Sequence, residues 1–322
     1  MKLLTEYAKL ADGQIKKILK ERSDPKSLYE PIEYHLLGGG KRVRPFLCMV
    51  SCEAVGGKKE IALPAAVALE LVHAFTLVHD DVMDKDEMRR GKPTIYKKWG
   101  EATAINVGDA IHTLCYKSIV NSKAEPDVVI KASGALIDSV LTVCEGQVLD
   151  IEFEGREITI KQYEDMARRK TGSLISGSCK VGAIIGSGSE KEIDALTRYG
   201  KNIGLAFQIW DDYIDFASKD TGKTHGSDIK RGKRTSIVCH ALENSSGKDK
   251  ERLIEILDSN ETSDKEVAEA VAILEKTGSI EYGKKRAMEL VENAKKSLGV
   301  LKDSAAKKSL LEFADFVINR DK

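Results

Sequence analysis

Two short acidic clusters are the residues in this sequence best suited to chemistry. The first is LVHDDVMD at residues 77–84 and the second is QIWDDYID at residues 208–215, so each places aspartates at i, i+1 and i+4 after an apolar approach. On a helix, residues i and i+4 differ by about 40° of rotation, and their carboxylates project together. Such carboxylates repel each other unless a cation lies between them, and Mg²⁺ takes hard oxygen ligands of this kind together with phosphate oxygens. We interpret both clusters as sites for divalent metal and a phosphorylated ligand, in preference to exposed acidic helix ends.

Basic residues recur beside glycines and near both acidic clusters. They are Lys41, Arg42 and Arg44 after three glycines, Arg89 and Arg90, Lys170 in the tripeptide KTG, and Lys223 and Lys233. Any one of them alone could be a solvated charge or a salt bridge. Arginine presents a fork to phosphate oxygens, whereas lysine acts as a point charge. The separate basic groups therefore predict two anionic groups, one bound through metal and one bound directly.

Two further polar residues fall on the faces that carry the aspartates. His73 lies seven residues before Asp80 on nearly the same stripe, and Gln208 precedes Asp211 by three. The alternative for His73 is a histidine of the apolar core, and the alternative for Gln208 is an ordinary surface amide. His79, next to Asp80, is expected to face elsewhere and pack.

Composition excludes several classes of protein. The 51 Lys and Arg balance 51 Asp and Glu, whereas nucleic-acid-binding proteins usually carry a basic excess. Six cysteines lack CxxC or zinc spacing, so we expect reduced residues of the core. The N-terminal residues lack the apolar segment of a signal peptide, and no uninterrupted apolar run approaches about 18 residues. We therefore expect no membrane span, no nucleic-acid partner and a cytoplasmic location.

Apolar residues recur mostly at intervals of three and four, which predicts an all-α fold. The six prolines all lie at or before Pro126, and no low-complexity linker divides the chain. We expect one domain over residues 1–322. The predicted helices cover about 3–20, 27–37, 45–55, 64–83, 101–121, 127–150, 161–185, 193–216, 234–244, 249–258, 263–277, 279–297 and 302–319. Residues 85–98 and 217–233 are predicted to be loops, and the long basic second loop is typical of a functional segment.

The sequence resembles the trans-isoprenyl diphosphate synthases of the polyprenyl synthetase family, in particular the archaeal type of geranylgeranyl diphosphate synthase. The resemblance is carried by six ordered motifs: GGGKRVRP at 38–45, LVHDDVMD at 77–84, RRGKPT at 89–94, KTG at 170–172, QIWDDYID at 208–215 and GK at 232–233. It implies the isoprenoid synthase helical bundle around a deep central cavity. It also implies a homodimer, isoprenoid diphosphates as substrates, and three Mg²⁺ in each active site.

The resemblance further implies roles for individual residues. The magnesium ligands would be Asp80, Asp84, Asp211 and Asp215, with Asp81 supporting them and Asp212 acting directly or through water. The allylic substrate and its diphosphate would be contacted by Arg89, Lys170, Thr171, Gln208, Lys223 and Lys233. The diphosphate of isopentenyl diphosphate would be held by Lys41, Arg44, His73 and Arg90. Catalysis would depend chiefly on Asp80, Asp84, Asp211, Lys170, Thr171 and Arg89.

The implied reaction is the head-to-tail (1'-4) condensation of isopentenyl diphosphate with dimethylallyl, geranyl or farnesyl diphosphate. Phe75 and Thr76 precede Asp80 by five and four residues, and an aromatic followed by a small residue resembles the C20-forming enzymes of archaea. We expect geranylgeranyl diphosphate as the product, with a C15 or mixed C15/C20 synthase as the alternative. Ideal helix geometry places Phe75 away from Asp80, so the residues alone do not locate the position that limits chain length.

Two other classes share the helical signature. A terpene cyclase usually carries one aspartate-rich motif and needs no second diphosphate site, whereas this chain has two such motifs and GGGKRVRP. A non-catalytic partner subunit is expected to lose metal ligands, and here both DDxxD clusters are intact. Both features favour the synthase.

Overall fold

The computed structural model describes residues 2–217, 226–259 and 261–320. Within them the chain is helical apart from one two-stranded hairpin, which confirms the all-α prediction. The helices are α1 (Lys2–Lys20), α2 (Lys26–Leu36), α3 (Val43–Ala54), α4 (Lys59–Met83), α5 (Ile95–Trp99), α6 (Glu101–Val120), α7 (Pro126–Phe153), α8 (Ile160–Ala167), α9 (Ser173–Ile185), α10 (Glu190–Ala217), α11 (Ser227–Lys230), α12 (Ser236–Asn244), α13 (Lys248–Leu257), α14 (Asp264–Lys276), α15 (Ser279–Ser297) and α16 (Ala305–Val317). A π-helix covers Arg168–Gly172 and a 3₁₀ turn covers Leu298–Val300.

The chain forms two compact units, each assembled from three stretches. Unit 1 comprises Met1–Val140, Gly177–Thr197 and Val300–Leu310. Unit 2 comprises Leu141–Ser176, Arg198–Gly299 and Leu311–Lys322. The expectation of one domain over 1–322 stays a prediction.

Unit 1 is organised around α4, which packs against α3 and α6. Close approach at two contacts in this unit depends on glycine. A Cβ at Gly182 would lie 2.0 Å from the carbonyl oxygen of Cys48, and one at Gly108 would lie 2.1 Å from the ring of His79. His79 thus packs against α6, as expected, and its Nε2 lies 3.2 Å from the Ile105 carbonyl.

The apolar character of α4 also satisfies the length and composition of a membrane-spanning helix. However, 67% of its most apolar window is buried inside the protein. A helix that is apolar all round and packed on its neighbours is the usual core helix of a bundle. Helix α4 is therefore weak evidence for a span, and we interpret it as the core helix that carries the first acidic motif.

Unit 2 has an apolar core contributed by the end of α10 and by helices α11 to α14. Its members include Phe216, Ile229, Ile237, Leu242, Leu253, Ile256, Val267 and Leu274. A second close contact links the π-helix to α10, because a Cβ at Gly204 would lie 2.6 Å from the Cα of Gly172. This contact fixes the distance between the KTG tripeptide and the helix that carries the second acidic motif.

Four sequence expectations differ from the structure. Helix α4 begins at Lys59 and contains Pro64; one lost hydrogen bond close to a helix start is tolerated when the helix is buried. Residues 161–185 are not one helix, because the π-helix separates α8 from α9.

Residues 85–98 hold the hairpin and α5, whose first turn is capped when Thr94 Oγ1 accepts from Lys97 N at 3.1 Å. Cys144 is exposed, whereas the other five cysteines are buried and reduced.

Candidate active site

The first acidic motif lies at the C-terminal end of α4. The backbone N–H of Asp84 donates to the Asp80 carbonyl at 2.8 Å and ends the helix. Asp80 is half-buried and Asp84 is exposed, whereas Asp81 is 2% exposed. A helix C-terminus carries partial negative charge, so carboxylates gathered there are unfavourable without a cation. Asp80 and Asp84 are thus placed to bind a cation, whereas the side chain of Asp81 points into the protein.

Arg89 is the partner of the buried carboxylate. Its Nε donates to Asp81 Oδ1 at 2.5 Å, and its Nη2 lies 3.6 Å from Asp86 Oδ2. Burial raises the pKa of Asp81, and the Arg89 charge opposes that rise. The predicted contact of Arg89 with an allylic substrate stays a prediction; in this structure the side chain ties the hairpin to α4.

The RRGKPT motif forms the hairpin. Strands β1 (Met88–Arg89) and β2 (Lys92–Pro93) pair antiparallel across a two-residue turn. The turn residues Arg90 and Gly91 both have positive φ, 52° and 72°, which is the backbone of a tight hairpin turn. The turn carries Arg90 to the glycine loop, where its guanidinium donates to the Gly39 carbonyl. A Cβ at Gly40 would lie 3.0 Å from Arg90 Nη1, so a side chain there would press on the guanidinium.

The structure brings together three of the four residues predicted to hold a diphosphate directly. The charges of Arg44 and Arg90 both act on His73, and together with burial they hold its pKa well below the usual value. His73 is therefore neutral at physiological pH. Arg44 keeps its charge although burial lowers its pKa to about 10, and its Nε is buried without a partner among the described residues. Lys41, the fourth residue, is exposed on the same loop. An unpartnered guanidinium N–H beside a second arginine is a donor set for an anion.

The second acidic motif, on α10, divides in the same way as the first. Asp212 is 2% exposed, and Oδ2 accepts from the Tyr163 hydroxyl at 2.5 Å. The backbone N–H of Ser236 also donates to it, at 3.3 Å. Burial raises the pKa of Asp212 to about 7. Asp211 is exposed, and its Oδ1 lies 2.7 Å from Arg320 Nη2.

Asp215 holds the segment that follows the motif. Its Oδ1 accepts from the Ser227 hydroxyl at 2.6 Å, and its Oδ2 accepts from the Asp228 N–H at 3.0 Å. Asp228, which the sequence reading missed, has its pKa raised by burial and by the charges of Asp215 and Asp211. No spacing rule marks Asp228, because it lies within the segment predicted to be a loop, 217–233, where no helical period applies. Lys233 Nζ lies 3.9 Å from Asp228 Oδ1, and Lys223 lies outside the described residues.

The KTG tripeptide forms the end of the π-helix. Insertions of this kind occur often at functional sites because they re-aim side chains. Thr171 donates its hydroxyl to Gln208 Oε1 at 3.0 Å, and Gln208 Nε2 donates to Asp212 Oδ1 at 3.3 Å. Lys170 pairs with Asp150. Three of the predicted allylic-substrate residues of unit 2, Lys170, Thr171 and Gln208, are thus gathered at one place.

The predicted chain-length residues lie one turn from the first motif on α4. Phe75 is 8% exposed, and its ring centroid lies 4.4 Å from that of His112 on α6. The hydroxyl of Thr76 donates to the His73 carbonyl at 2.9 Å. The Phe75 ring is bulky and is held in place by the His112 ring. Thr76 is small, and its hydroxyl is already hydrogen-bonded within its own helix.

The carboxylate oxygens of the two acidic motifs fit magnesium bound together with a phosphorylated ligand. Among the described residues, no group of three or more His, Cys, Asp or Glu side chains is arranged to hold a metal ion by itself. Magnesium usually takes one or two carboxylates and completes its shell with water and substrate phosphate oxygens. The carboxylates of Asp80 and Asp84 in unit 1, and of Asp211 in unit 2, suit that mode of binding.

Comparisons with known proteins agree with this chemistry. The sequence model of the family described as polyprenyl synthetase matches residues 25–274. A short chain isoprenyl diphosphate synthase of Methanothermobacter thermautotrophicus is 43% identical over 100% of this chain and 98% of its own length. A geranylgeranyl diphosphate synthase of Methanosarcina mazei is 40% identical over 92% of this chain and 91% of its own. The crystal structure of a geranylgeranyl pyrophosphate synthetase from Pyrococcus horikoshii superposes with a TM-score of 0.94, at 41% identity over 99% of this chain and 98% of that one.

Proposed function

This chain belongs to the polyprenyl synthetase family and is a prenyltransferase, and we propose that it condenses isopentenyl diphosphate with allylic diphosphates. The allylic substrates are dimethylallyl, geranyl and farnesyl diphosphate. The product is geranylgeranyl diphosphate, as the names of two relatives suggest. Farnesyl diphosphate, or a C15/C20 mixture, is the second candidate, because another relative is named only for short chains.

The observation that supports this proposal most strongly is the group of Arg44, Arg90 and His73 in unit 1, which suits an anion bound without metal. The charges of Arg44 and Arg90 both act on the neutral His73, and the buried Arg44 Nε lacks a protein partner among the described residues. A condensation of two diphosphates needs such a site in addition to a metal-dependent one. A terpene cyclase has no use for it, and a non-catalytic partner subunit has no use for it either.

Metal dependence is a property of the family, and we propose Mg²⁺, three ions in each active site. The ligands are Asp80, Asp84, Asp211 and Asp215. Asp215 already accepts two hydrogen bonds from its own unit, so it is the ligand most dependent on rearrangement or on a bridging water. When bound, magnesium neutralises the negative charge that develops on the leaving diphosphate.

The side chains of the protein support the remaining steps. The allylic C–O bond breaks, and its electron pair leaves with the diphosphate. The oxygens of this diphosphate are held by Arg89, Lys170, Lys223 and Lys233. The allylic substrate is also contacted by Thr171 and Gln208. Fixed cations aimed at developing charge stabilise such a transition state. Lys41, Arg44, His73 and Arg90 hold isopentenyl diphosphate so that its double bond attacks C1 of the allylic cation. The departing diphosphate then accepts the proton that is lost, since no side chain of the site is a strong base.

We also propose a homodimer that forms through α7. Large apolar side chains of this helix remain exposed at intervals of seven, four, seven and three residues: Ile130, Ile137, Leu141, Val148 and Ile151. This spacing is the seam of a helix that pairs with another helix, and exposed apolar stripes mark interfaces. Leu141→Glu with Val148→Glu should give monomers in sedimentation, whereas Val120→Glu, an exposed change on α6, should leave the dimer intact.

The experiment that tests the function supplies purified protein with Mg²⁺, isopentenyl diphosphate and dimethylallyl diphosphate. A C20 product is expected, and a C15 product would move the assignment to the second candidate. Cyclisation of geranylgeranyl diphosphate without consumption of isopentenyl diphosphate would favour a cyclase. Fractionation of cells should place the enzyme in the cytoplasm, without nucleic acid.

A further inference from the structure

Arg42 occupies an unusual backbone position directly before α3. Its φ is 50° and its ψ is 44°, in the left-handed region that residues other than glycine seldom adopt. The glycine run of Gly38, Gly39 and Gly40 ends two residues before it, yet the left-handed residue at the helix start is an arginine. Interactions of its side chain must therefore hold it there.

The guanidinium of Arg42 uses all three of its nitrogens on three other helices. Nε donates to Asp12 Oδ1 at 2.8 Å, and Nη1 donates to Glu70 Oε1 at 2.9 Å. Nη2 donates to the carbonyl of Leu36 at 2.6 Å. The side chain is 4% exposed. Arg42 is thus fully engaged by α1, α2 and α4, and it is an anchor that does not reach a ligand.

The residues beside this anchor are the proposed diphosphate ligands of the glycine loop. Lys41 precedes Arg42 directly, and Arg44 follows it by two residues. The carbonyl of Arg42 accepts from the N–H of Phe46 at 3.2 Å and so begins the hydrogen bonding of α3. Fixing Arg42 therefore sets both the point from which Lys41 extends and the first turn that carries Arg44.

Glu70 links the same anchor to the rest of the anion site. It is 3% exposed and lies three residues before His73 on α4. Oε1 binds Arg42, whereas Oε2 is buried without a hydrogen-bond partner among the described residues. The charge of Glu70 acts on Arg44 and on Arg90. One buried carboxylate thus offsets part of the repulsion among three arginines and leaves the group with net positive charge.

We propose that the buried pair of Arg42 and Glu70 forms a positioning device for the diphosphate of isopentenyl diphosphate. The pair does not touch the ligand. It holds the backbone that carries Lys41 and Arg44 in place before the ligand arrives. This inference rests on the proposed function, because it concerns the second of the two diphosphates.

The test separates the two substrates. Arg42→Lys and Glu70→Gln should each raise KM for isopentenyl diphosphate by about tenfold or more. The single ammonium of lysine cannot replace a guanidinium fork that binds three partners, and a neutral amide removes the charge that Arg42 pairs with. KM for the allylic substrate should stay within about twofold of wild type, since that substrate depends on other residues. Calorimetric binding of isopentenyl diphosphate without metal should weaken in parallel.

A double variant distinguishes positioning from a role in stability alone. Apolar replacement of a buried ion pair often preserves stability, so Arg42→Met with Glu70→Met should recover the melting temperature without recovering isopentenyl diphosphate binding. Arg286→Lys is the matched control: Arg286 pairs with Glu164 at 2.7 Å and 3.0 Å in unit 2. It should lower the melting temperature and leave KM for isopentenyl diphosphate unchanged.

Two results would overturn the inference. One is unchanged isopentenyl diphosphate binding in folded single variants, and the other is recovery of binding together with stability in the double variant. Failure of the proposed function has a different signature, because wild-type protein would then form no product with any allylic starter. The binding measurement tests the positioning device in either case.

Discussion

Arg89 and Asp81 join the hairpin of unit 1 to the end of α4 through a 2.5 Å hydrogen bond from Nε to Oδ1. The side chain of Asp81 is 3% exposed and that of Arg89 is 29% exposed. Adjacent aspartates of one motif thus have opposite surroundings, since Asp80 reaches the solvent side and Asp81 faces a fixed cation. The two should respond differently to substitution.

Asp81→Asn should mainly lower stability. The change replaces the carboxylate partner of the Arg89 guanidinium with a buried neutral amide. We expect a loss of about 1–2 kcal/mol in the free energy of unfolding. The loss is smaller than for a fully buried pair because Arg89 is partly exposed. Urea unfolding measures it. A stability equal to wild type would show that the hydrogen bond contributes nothing net.

Asp80→Ala should mainly abolish turnover. The residue is half-buried at a helix end and contributes little packing, whereas a lost metal ligand should reduce kcat by about 10³-fold. Product formation with Mg²⁺ and the melting temperature are measured together. Asp194→Ala, an exposed acid on α10, is the control and should keep full activity. Normal turnover in Asp80→Ala would contradict the assignment of Asp80 as a metal ligand.

Gly146→Ala should disturb the π-helix. The added Cβ would lie 2.2 Å from the backbone nitrogen of Lys170, so the segment that carries Lys170 and Thr171 must shift. We expect about 1–3 kcal/mol of destabilisation together with a higher KM for the allylic substrate. Gly134→Ala on the same helix meets nothing within 4 Å and should be neutral or slightly stabilising. Equal behaviour of the two variants would refute the steric argument.

His35 should make the protein sensitive to mild acid. Burial, with the charges of Arg90 and Arg89, lowers the pKa of His35 to about 4, below the unfolded value of about 6.5. The unfolded chain then binds the proton first, so stability is lost as pH falls from about 6.5 towards 4. Between pH 7 and pH 5 the wild type should lose about 1–2 kcal/mol more than His35→Gln. Parallel stability curves for the two proteins would show that His35 does not titrate in this way.

Phe75→Ser should lengthen the product. The Phe75 ring packs with its centroid 4.4 Å from that of His112. Removing it deletes a bulky group that would block a growing chain about one turn from Asp80, so products beyond C20 should appear. Ala74→Ser, a small change at a neighbouring buried position, should keep the wild-type product. Chromatography of the dephosphorylated products gives the lengths, and an unchanged distribution in Phe75→Ser would place the limit elsewhere.

Sequence spacing predicted the helices and the placement of the acidic motifs because both follow local rules. The 3.6-residue period sets which residues of α4 are buried, and the i, i+4 relation sets which carboxylates point outward. These features depend on residues a few positions apart.

Features that depend on distant partners were not predicted. Arg42 seemed equivalent to Lys41 and Arg44 in the motif, and only its bond to Glu70, 28 residues away, shows that it faces inward. The hairpin at 88–93 is too short for a periodic signal, and its turn places an arginine where asparagine is usual. The π-helix leaves no sequence pattern, because its extra residue is accommodated by contacts with Gly146 and Gly204.

The division of unit 1 among three stretches has a consequence for synthesis on the ribosome. Its first stretch ends at Val140 and its last ends at Leu310, so 170 further residues must be added before the unit has all its parts. At about 5–20 residues per second, that interval is roughly 9–34 s. The surfaces against which Gly177–Thr197 packs remain open to water and to chaperones during the first part of this interval, and those against which Val300–Leu310 packs remain open until its end. Folding of this unit is therefore completed only after Leu310 has been synthesised, and a fragment that stops at Val140 should aggregate rather than form a stable half.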